Sequence, residues 1–253
     1  MTESLYYTLL YIWIALAVII FPVLFKIPAP YGRYSRRDWG PTIPNRWGWF
    51  LMEVTVFITF PWFFLTGSAE KTLPVWIIFA AFMIHYFNRV FIFPFRIKDN
   101  GKRMPLSVVA MALFFNIANG FFNGYWFGTL SDGRYPTEWL YDPRFIIGAV
   151  LFITGMLINI KSDNILLSLR KGGKKGYFIP RGFLFNHVSS PNLLGEVIEW
   201  AGWAMMGWAL APLSFAIWSF ANLVPRAYDH HQWYLQYFDE YPKKRKAIFP
   251  KIF

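Results

Sequence analysis

Ser189-Ser190-Pro191-Asn192-Leu193-Leu194-Gly195-Glu196-Val197-Ile198-Glu199-Trp200 opens an apolar run that continues almost to Pro225, yet it carries two carboxylates. Asn192, Glu196 and Glu199 stand at i, i+4 and i+7, so a helix puts all three on one face. A charged carboxylate at the centre of a membrane-crossing helix costs roughly 2.5–3.5 kcal/mol on the insertion scale. Two on one stripe therefore predict a polar cavity turned away from lipid. Ser190 and Pro191 read as the N-cap and first residue of that helix.

The surrounding chain fits a membrane setting. It has 253 residues, 56% hydrophobic and only 15% charged, which is more apolar than a soluble domain of this length needs. Cysteine is absent, so neither a disulfide framework nor a thiolate metal site can form. No Rossmann or Walker glycine loop occurs, and the N-terminus Met1-Thr2-Glu3-Ser4 lacks the basic region of a cleavable leader.

Apolar runs of about 20 residues mark spans: Tyr6–Phe25, Trp47–Leu65, Leu73–Phe95, Pro105–Leu130, and Phe145–Ile160 with its helix running on to Arg170. Leu193–Val224 is too long for one span, so Pro212 is the expected break, and the last helix must continue past Pro225. All Lys and Arg residues except Lys71, Arg89, Arg134 and Arg144 fall in alternate loops and the C-terminal tail. The positive-inside rule then predicts an all-α, multi-pass membrane protein with seven transmembrane helices, N-terminus outside and C-terminus cytoplasmic. One transmembrane domain covers 1–253, with 1–104 giving the N-terminal spans and 105–253 the rest. The net charge of +11 reads as a cytoplasmic anchor beside anionic lipid, not as a nucleic-acid surface.

Topology assigns depth to the polar residues. Asn159, Asp163 and Arg170 share a helix face, as do Arg226, His230 and Tyr234, and both sets lie near the cytoplasmic side with Glu196 and Glu199. Glu53 and Tyr86 lie deeper, roughly 9 and 13 Å along their helices at 1.5 Å per residue. Asn116 and Asn123 read as glue between helices, and snorkelling is the bland alternative for the isolated Arg89 and Arg226. His230, Asp229 and Glu240 lack metal-site spacing, so no metal is expected. The clustering of both charge signs at one depth suits a phosphate-rich ligand above an apolar pocket holding one acid and one phenol.

At these residues the chain resembles the steroid 5α-reductase family of integral-membrane oxidoreductases. Trp49-Phe50-Leu51-Met52-Glu53, His85-Tyr86-Phe87-Asn88-Arg89, Asn159-Ile160-Lys161-Ser162-Asp163, Asn192-Leu193-Leu194-Gly195-Glu196 and Arg226-Ala227-Tyr228-Asp229-His230-His231 carry the likeness, together with Tyr177–Gly182 and Tyr241–Ile248. The resemblance implies NADPH-dependent reduction of the C4–C5 double bond of a 3-oxo-Δ4 steroid. It assigns NADPH to Asn159, Asp163, Arg170, Tyr177, Asn192, Glu196, Arg226, His230 and Tyr234, and the 3-keto oxygen to Glu53 and Tyr86. Asn119, Glu199 and Met52 are carried as substrate-pocket residues, and Lys102 and Arg103 as phosphate contacts. Met52 stands where animal members have Gln, and Asp229 replaces the first His of a three-His run.

Other readings of the same spans are a membrane enoyl-CoA or sterol double-bond reductase, a methyltransferase of isoprenylated cysteine, and a non-enzymatic sterol carrier. The Glu53–Tyr86 pair favours a ketone-bearing enone, because hydride addition to its β-carbon drives charge onto an oxygen that two donors can stabilise.

Overall fold

The computed structural model describes residues 1–27, 34, 39–97, 101–169 and 176–253. Long helices dominate it: α1 (Glu3–Leu24), α2 (Asn45–Thr66), α3 (Leu73–Arg96), α4 (Leu106–Leu130), α5 (Pro143–Ser168), α6 (Pro191–Gly207) and α7 (Leu210–Tyr237). The first five are long and apolar enough to cross a membrane. Their outward faces carry bare apolar side chains such as Ile58, Trp62, Phe114 and Leu157, each more than 60% exposed. Two short strands, β1 (Thr42–Pro44) and β2 (Arg103–Pro105), pair antiparallel just before α2 and α4.

The break expected at Pro212 falls earlier. α6 ends at Gly207, and Trp208 turns the chain with φ +34° before α7 begins at Leu210. Pro212 therefore sits in the first turn of α7, where a missing N–H costs little. Pro225 lies inside α7, as expected from the length of that helix. α3 and α4 are not uniform: π-helical turns occupy Asn88–Ile92 and Trp126–Leu130.

The chain divides into two compact units. The first holds Met1–Leu10, Ala29–Ile146 and Met206–Pro212. In it α2 and α4 run parallel, because β1 and β2 fix their starts side by side while Asn45 N donates to Lys102 O. Gly120, Gly124 and Gly128 then bring α4 onto α2 over successive turns. A Cβ on Gly120 would lie 2.0 Å from Thr59 Oγ1, and one on Gly128 2.3 Å from Phe63 O, so no side chain fits there. Ala69 N closes the far end on Gly128 O at 2.8 Å. α3 packs antiparallel on α2 through aromatic pairs, with Phe60 against Phe82 at 4.1 Å and Phe64 against Phe79 at 4.3 Å between ring centroids.

The second unit holds Tyr11–Pro28, Ile147–Met205 and Leu213–Phe253. Here α5 and α6 cross antiparallel, also on glycine. A Cβ on Gly155 would meet Glu199 N at 2.3 Å, and one on Gly202 would meet Phe152 N at 2.4 Å. Leu193, Leu194, Val224, Ala227 and Ile248 form a core between α6, α7 and the tail. The tail is stitched to the segment before α6 by backbone bonds, Ser189 N to Lys246 O at 2.8 Å and Lys246 N to His187 O at 3.0 Å.

Candidate active site

In the first unit the α2–α3 hairpin brings acid and phenol onto facing helices. Glu53 is nearly buried on α2, and its Oε1 lies 3.5 Å from Arg89 Nη2 on α3. Tyr86, one turn before Arg89, is buried against Phe82, with ring centroids 4.6 Å apart. The guanidinium of Arg89 is boxed by two aromatic faces, 5.0 Å from the Trp49 centroid and 4.8 Å from that of Phe93. Arg89 is thus 8% exposed and does not snorkel to a surface. The contact was legible only through the antiparallel register of the two helices, which places position 89 opposite position 53.

Behind this pair, Met52 is buried and its carbonyl accepts Asn116 Nδ2 at 2.6 Å. Asn123 Nδ2 donates to Asn119 Oδ1 at 2.8 Å and to Asn119 O at 3.1 Å. Asn116 thus ties α4 to α2 as expected, whereas the described bonds of Asn123 stay within its own helix. Asn119 is fully enclosed with them.

In the second unit, α5 and α6 bring Asn159, Asp163 and Asn192 into one hydrogen-bonded cluster. Asn159 Nδ2 donates to Asn192 O at 3.0 Å, and Asn192 Nδ2 donates to Asp163 Oδ1 at 3.1 Å. Glu196 follows one turn later and is half-buried, while Glu199 is wholly buried. The side chain of Ser190 makes no cap: its buried Oγ, like that of Ser162, has no partner among the described residues. On α7, Arg226 and His230 are half-buried, and Tyr234 stacks on Tyr241 at 5.0 Å. Tyr177 lies against Trp233 and Tyr237 of the same helix. Arg170 falls outside the described residues.

Beside this cluster runs a line of polar groups that sequence reasoning passed over. Ser189 Oγ stands 2.7 Å from both His231 Nδ1 and Tyr241 Oη. Burial pushes the Tyr241 phenol above its ordinary 10.0, partly offset by bonds from Ser189 and Arg245. A phenol that keeps its proton can donate to Ser189, which then donates to His231. Arg245 is 4% exposed, and its Nε and Nη1 have no hydrogen-bond partner among the described residues.

Comparison with known proteins places the chain in a lineage. A family model described as 3-oxo-5-alpha-steroid 4-dehydrogenase matches residues 102–253. A protein of Gossypium hirsutum named steroid 5-alpha-reductase DET2 is 40% identical over 251 residues, covering 96% of this chain and 96% of its own length. The Arabidopsis thaliana protein of the same name is 41% identical over 239 residues, covering 91% of this chain and 90% of its own. Human 3-oxo-5-alpha-steroid 4-dehydrogenase 1 is 38% identical over 253 residues, covering 99% and 96%. The chain belongs to the steroid 5α-reductase family.

As a member of that oxidoreductase family it carries Glu53 and Tyr86 ahead of the segment 102–253 that the family model matches. Arg103 has local partners in this 5α-reductase relative: its Nε and Nη2 donate to Thr42 Oγ1 and Thr42 O at 2.8 and 2.5 Å. Lys102 gives its carbonyl to Asn45 N in the same strand pairing. Among the described residues no group of three or more His, Asp or Glu is placed to hold a metal ion.

Proposed function

We propose that this protein reduces the C4–C5 double bond of 3-oxo-Δ4 steroids to 5α-steroids, with NADPH as reductant. Similarity to 5α-reductases of plants and human over nearly the whole chain is the observation that carries the reading. The chain works as one reductase domain over 1–253. Residues 1–104 supply the pair that polarises the substrate and 105–253 most of the cofactor site.

The residues of the second unit suit a dinucleotide phosphate. Buried hydroxyls and guanidinium N–H groups left without partners are rare in a folded protein, and Ser162, Ser190 and Arg245 offer such groups here. Asn159, Asp163 and Asn192 provide amide and carboxylate groups for ribose and nicotinamide. Arg170, Arg226, His230, Tyr177, Tyr234 and Glu196 complete the set. NADPH bound to them supplies a hydride for the β-carbon of the enone.

Glu53 and Tyr86 do the work on the substrate. As hydride arrives, charge moves onto the 3-keto oxygen, and donors already fixed in a water-poor setting stabilise it without reorganising. Tyr86 donates its phenol proton and Glu53 donates from its neutral acid form. The product gains the hydride at the β-carbon and a proton at the neighbouring carbon.

Seven crossings, N-terminus outside and C-terminus cytoplasmic, follow from the alternation of basic loops and put the cofactor residues on the cytoplasmic side of a bacterial inner or endoplasmic reticulum membrane. Purified protein given NADPH and progesterone or testosterone should consume the reduced nicotinamide only when steroid is present. Mass spectrometry should show a product two hydrogens heavier. Consumption without steroid, or no reduced steroid at all, defeats the reading.

A further inference from the structure

Two buried amide atoms on α4 have no part in gripping the ketone or the cofactor. We infer that Asn119 and Asn123 form a subsite for a hydroxyl on the D ring of the steroid, remote from the 3-keto oxygen, so that the preferred substrate is a 3-oxo-Δ4 steroid bearing such a hydroxyl. The inference rests on the reading of Glu53 and Tyr86 as the grip on the ketone.

What the two side chains leave unused sets the chemistry. Asn123 Nδ2 donates to Asn119 O at 3.1 Å and to Asn119 Oδ1 at 2.8 Å. The bond to a backbone carbonyl fixes which end of Asn123 is its nitrogen. Asn119 Nδ2 and Asn123 Oδ1 are then both buried, and neither has a partner among the described residues. Their residues are 1% and 0% exposed, so bulk water does not meet the need. Buried polar atoms in this state are rare and costly. One unused donor beside one unused acceptor is the complement of a hydroxyl, which accepts on its oxygen and donates its hydrogen. A ketone answers only the donor, and a hydrocarbon answers neither.

Position along the helix sets which part of the steroid arrives there. The β1–β2 pairing starts α2 and α4 side by side, and Asn116 Nδ2 on Met52 O at 2.6 Å puts residue 116 level with the turn that carries Glu53. Asn119 and Asn123 follow three and seven residues later, about 5 and 10 Å further along the axis at 1.5 Å per residue. The two helices stay in step over this length, since a Cβ on Gly120 would meet Thr59 and one on Gly124 would meet Phe60 O. The three asparagines occupy the face of α4 opposite the exposed Met111, Phe114 and Ile117, so they look into the unit and away from lipid. A steroid held by its ketone at Glu53 and Tyr86 and lying along α4 brings its D ring toward Asn123.

A site built to hydrogen-bond a substrate hydroxyl rejects the analogue that lacks it, because the protein groups stay unpaired in that complex. The experiment uses the full chain in detergent or lipid with NADPH. It compares testosterone, which has a D-ring hydroxyl, with androst-4-en-3-one, the same skeleton without it. Wild-type protein should favour testosterone about 10- to 100-fold in kcat/KM, with androst-4-ene-3,17-dione between the two. Asn119→Leu removes the donor and should cut that preference to less than about 3-fold. The ratio of two substrates in one protein is independent of how much of a variant is folded. The wild-type ratio needs no variant at all, so a substitution that prevents folding leaves the test standing. A wild-type ratio near one, as when a trapped water serves both amides, or a preference undiminished in Asn119→Leu, would overturn the inference. If wild-type protein reduces none of the three steroids, the functional reading has failed and the subsite falls with it. Reduction of all three at similar rates strikes the subsite alone.

Discussion

Gly155 of α5 and Gly195 of α6 meet backbone to backbone: a Cβ on Gly195 would fall 2.6 Å from Gly155 O and 2.5 Å from Asn159 N. That approach is what lets Asn159 Nδ2 reach Asn192 O. Gly195→Val should therefore separate the helices and dissolve the Asn159–Asn192–Asp163 cluster, at a cost of about 1–3 kcal/mol or more. Thermal unfolding in detergent with NADPH titration measures both effects. A variant with unchanged melting temperature and cofactor affinity would mean that the crossing has more room than the geometry allows.

Asn192 serves this cluster twice, its backbone carbonyl accepting from Asn159 and its side-chain amide donating to Asp163. Asn192→Ala removes the donor to Asp163 and any amide contact with cofactor. NADPH affinity should weaken about 10-fold or more, the equivalent of roughly 1.4 kcal/mol, with steroid KM little affected. Fluorescence titration of reduced nicotinamide checks it, and wild-type affinity would remove Asn192 from the cofactor site.

Glu53→Gln and Tyr86→Phe each remove an acidic proton aimed at the substrate oxygen. Turnover should fall by about 10²–10³-fold in each, as for loss of one oxyanion donor, while NADPH still binds. Either variant turning over at the wild-type rate would show that the assigned role is wrong.

Asn116 holds α4 to α2 by donating to Met52 O at 2.6 Å while 6% exposed. Asn116→Leu leaves that carbonyl without its donor and adds bulk, so stability should drop by about 1–3 kcal/mol. Because Met52 precedes Glu53, kcat should fall with it. Chemical denaturation in mixed micelles tests the first point and steady-state kinetics the second.

The Tyr241 phenol is raised above 10.0 by burial, against the opposing pull of Ser189 and Arg245. A group whose folded value lies above its unfolded one stabilises the fold fully below the unfolded value and loses that contribution as pH rises through the folded one. Stability should thus hold to about pH 10 and decline beyond it. Tyr241→Phe should flatten the alkaline limb and, by breaking the line to Ser189 and His231, lower stability at neutral pH by about 1 kcal/mol. Melting curves across alkaline pH for both proteins make the comparison. An equally steep limb in Tyr241→Phe would assign the decline to another group.

Much of the fold lies open in the primary sequence. Apolar length marks α1 through α4 and the start of α5 to within a few residues, because a helix that crosses lipid must be long and must satisfy its own backbone. Ser190-Pro191 marks the start of α6 correctly, since proline tolerates only the first turn. The same logic misplaced the end of α6: the turn lies at Trp208, held with positive φ by packing around Gly207, and Pro212 is accommodated within α7. For Arg89, snorkelling is one alternative that the sequence leaves open, and burial removes it. A lone arginine near a helix end suggests snorkelling, and only the α2–α3 register and the rings of Trp49 and Phe93 make burial affordable.

By itself, the sequence determined the helices, the alternation of basic loops and the face on which each polar residue stands, because all three depend on local periodicity and on solvation of charge. Only the tertiary structure decided which faces meet. It sets α2 parallel to α4 and α5 across α6 on stripes of glycine, and it gives Glu53 its arginine and Asn159 its asparagine. Glycine has no side chain to announce a partner, so its meaning as a contact appears only when a second backbone lies where a Cβ would be.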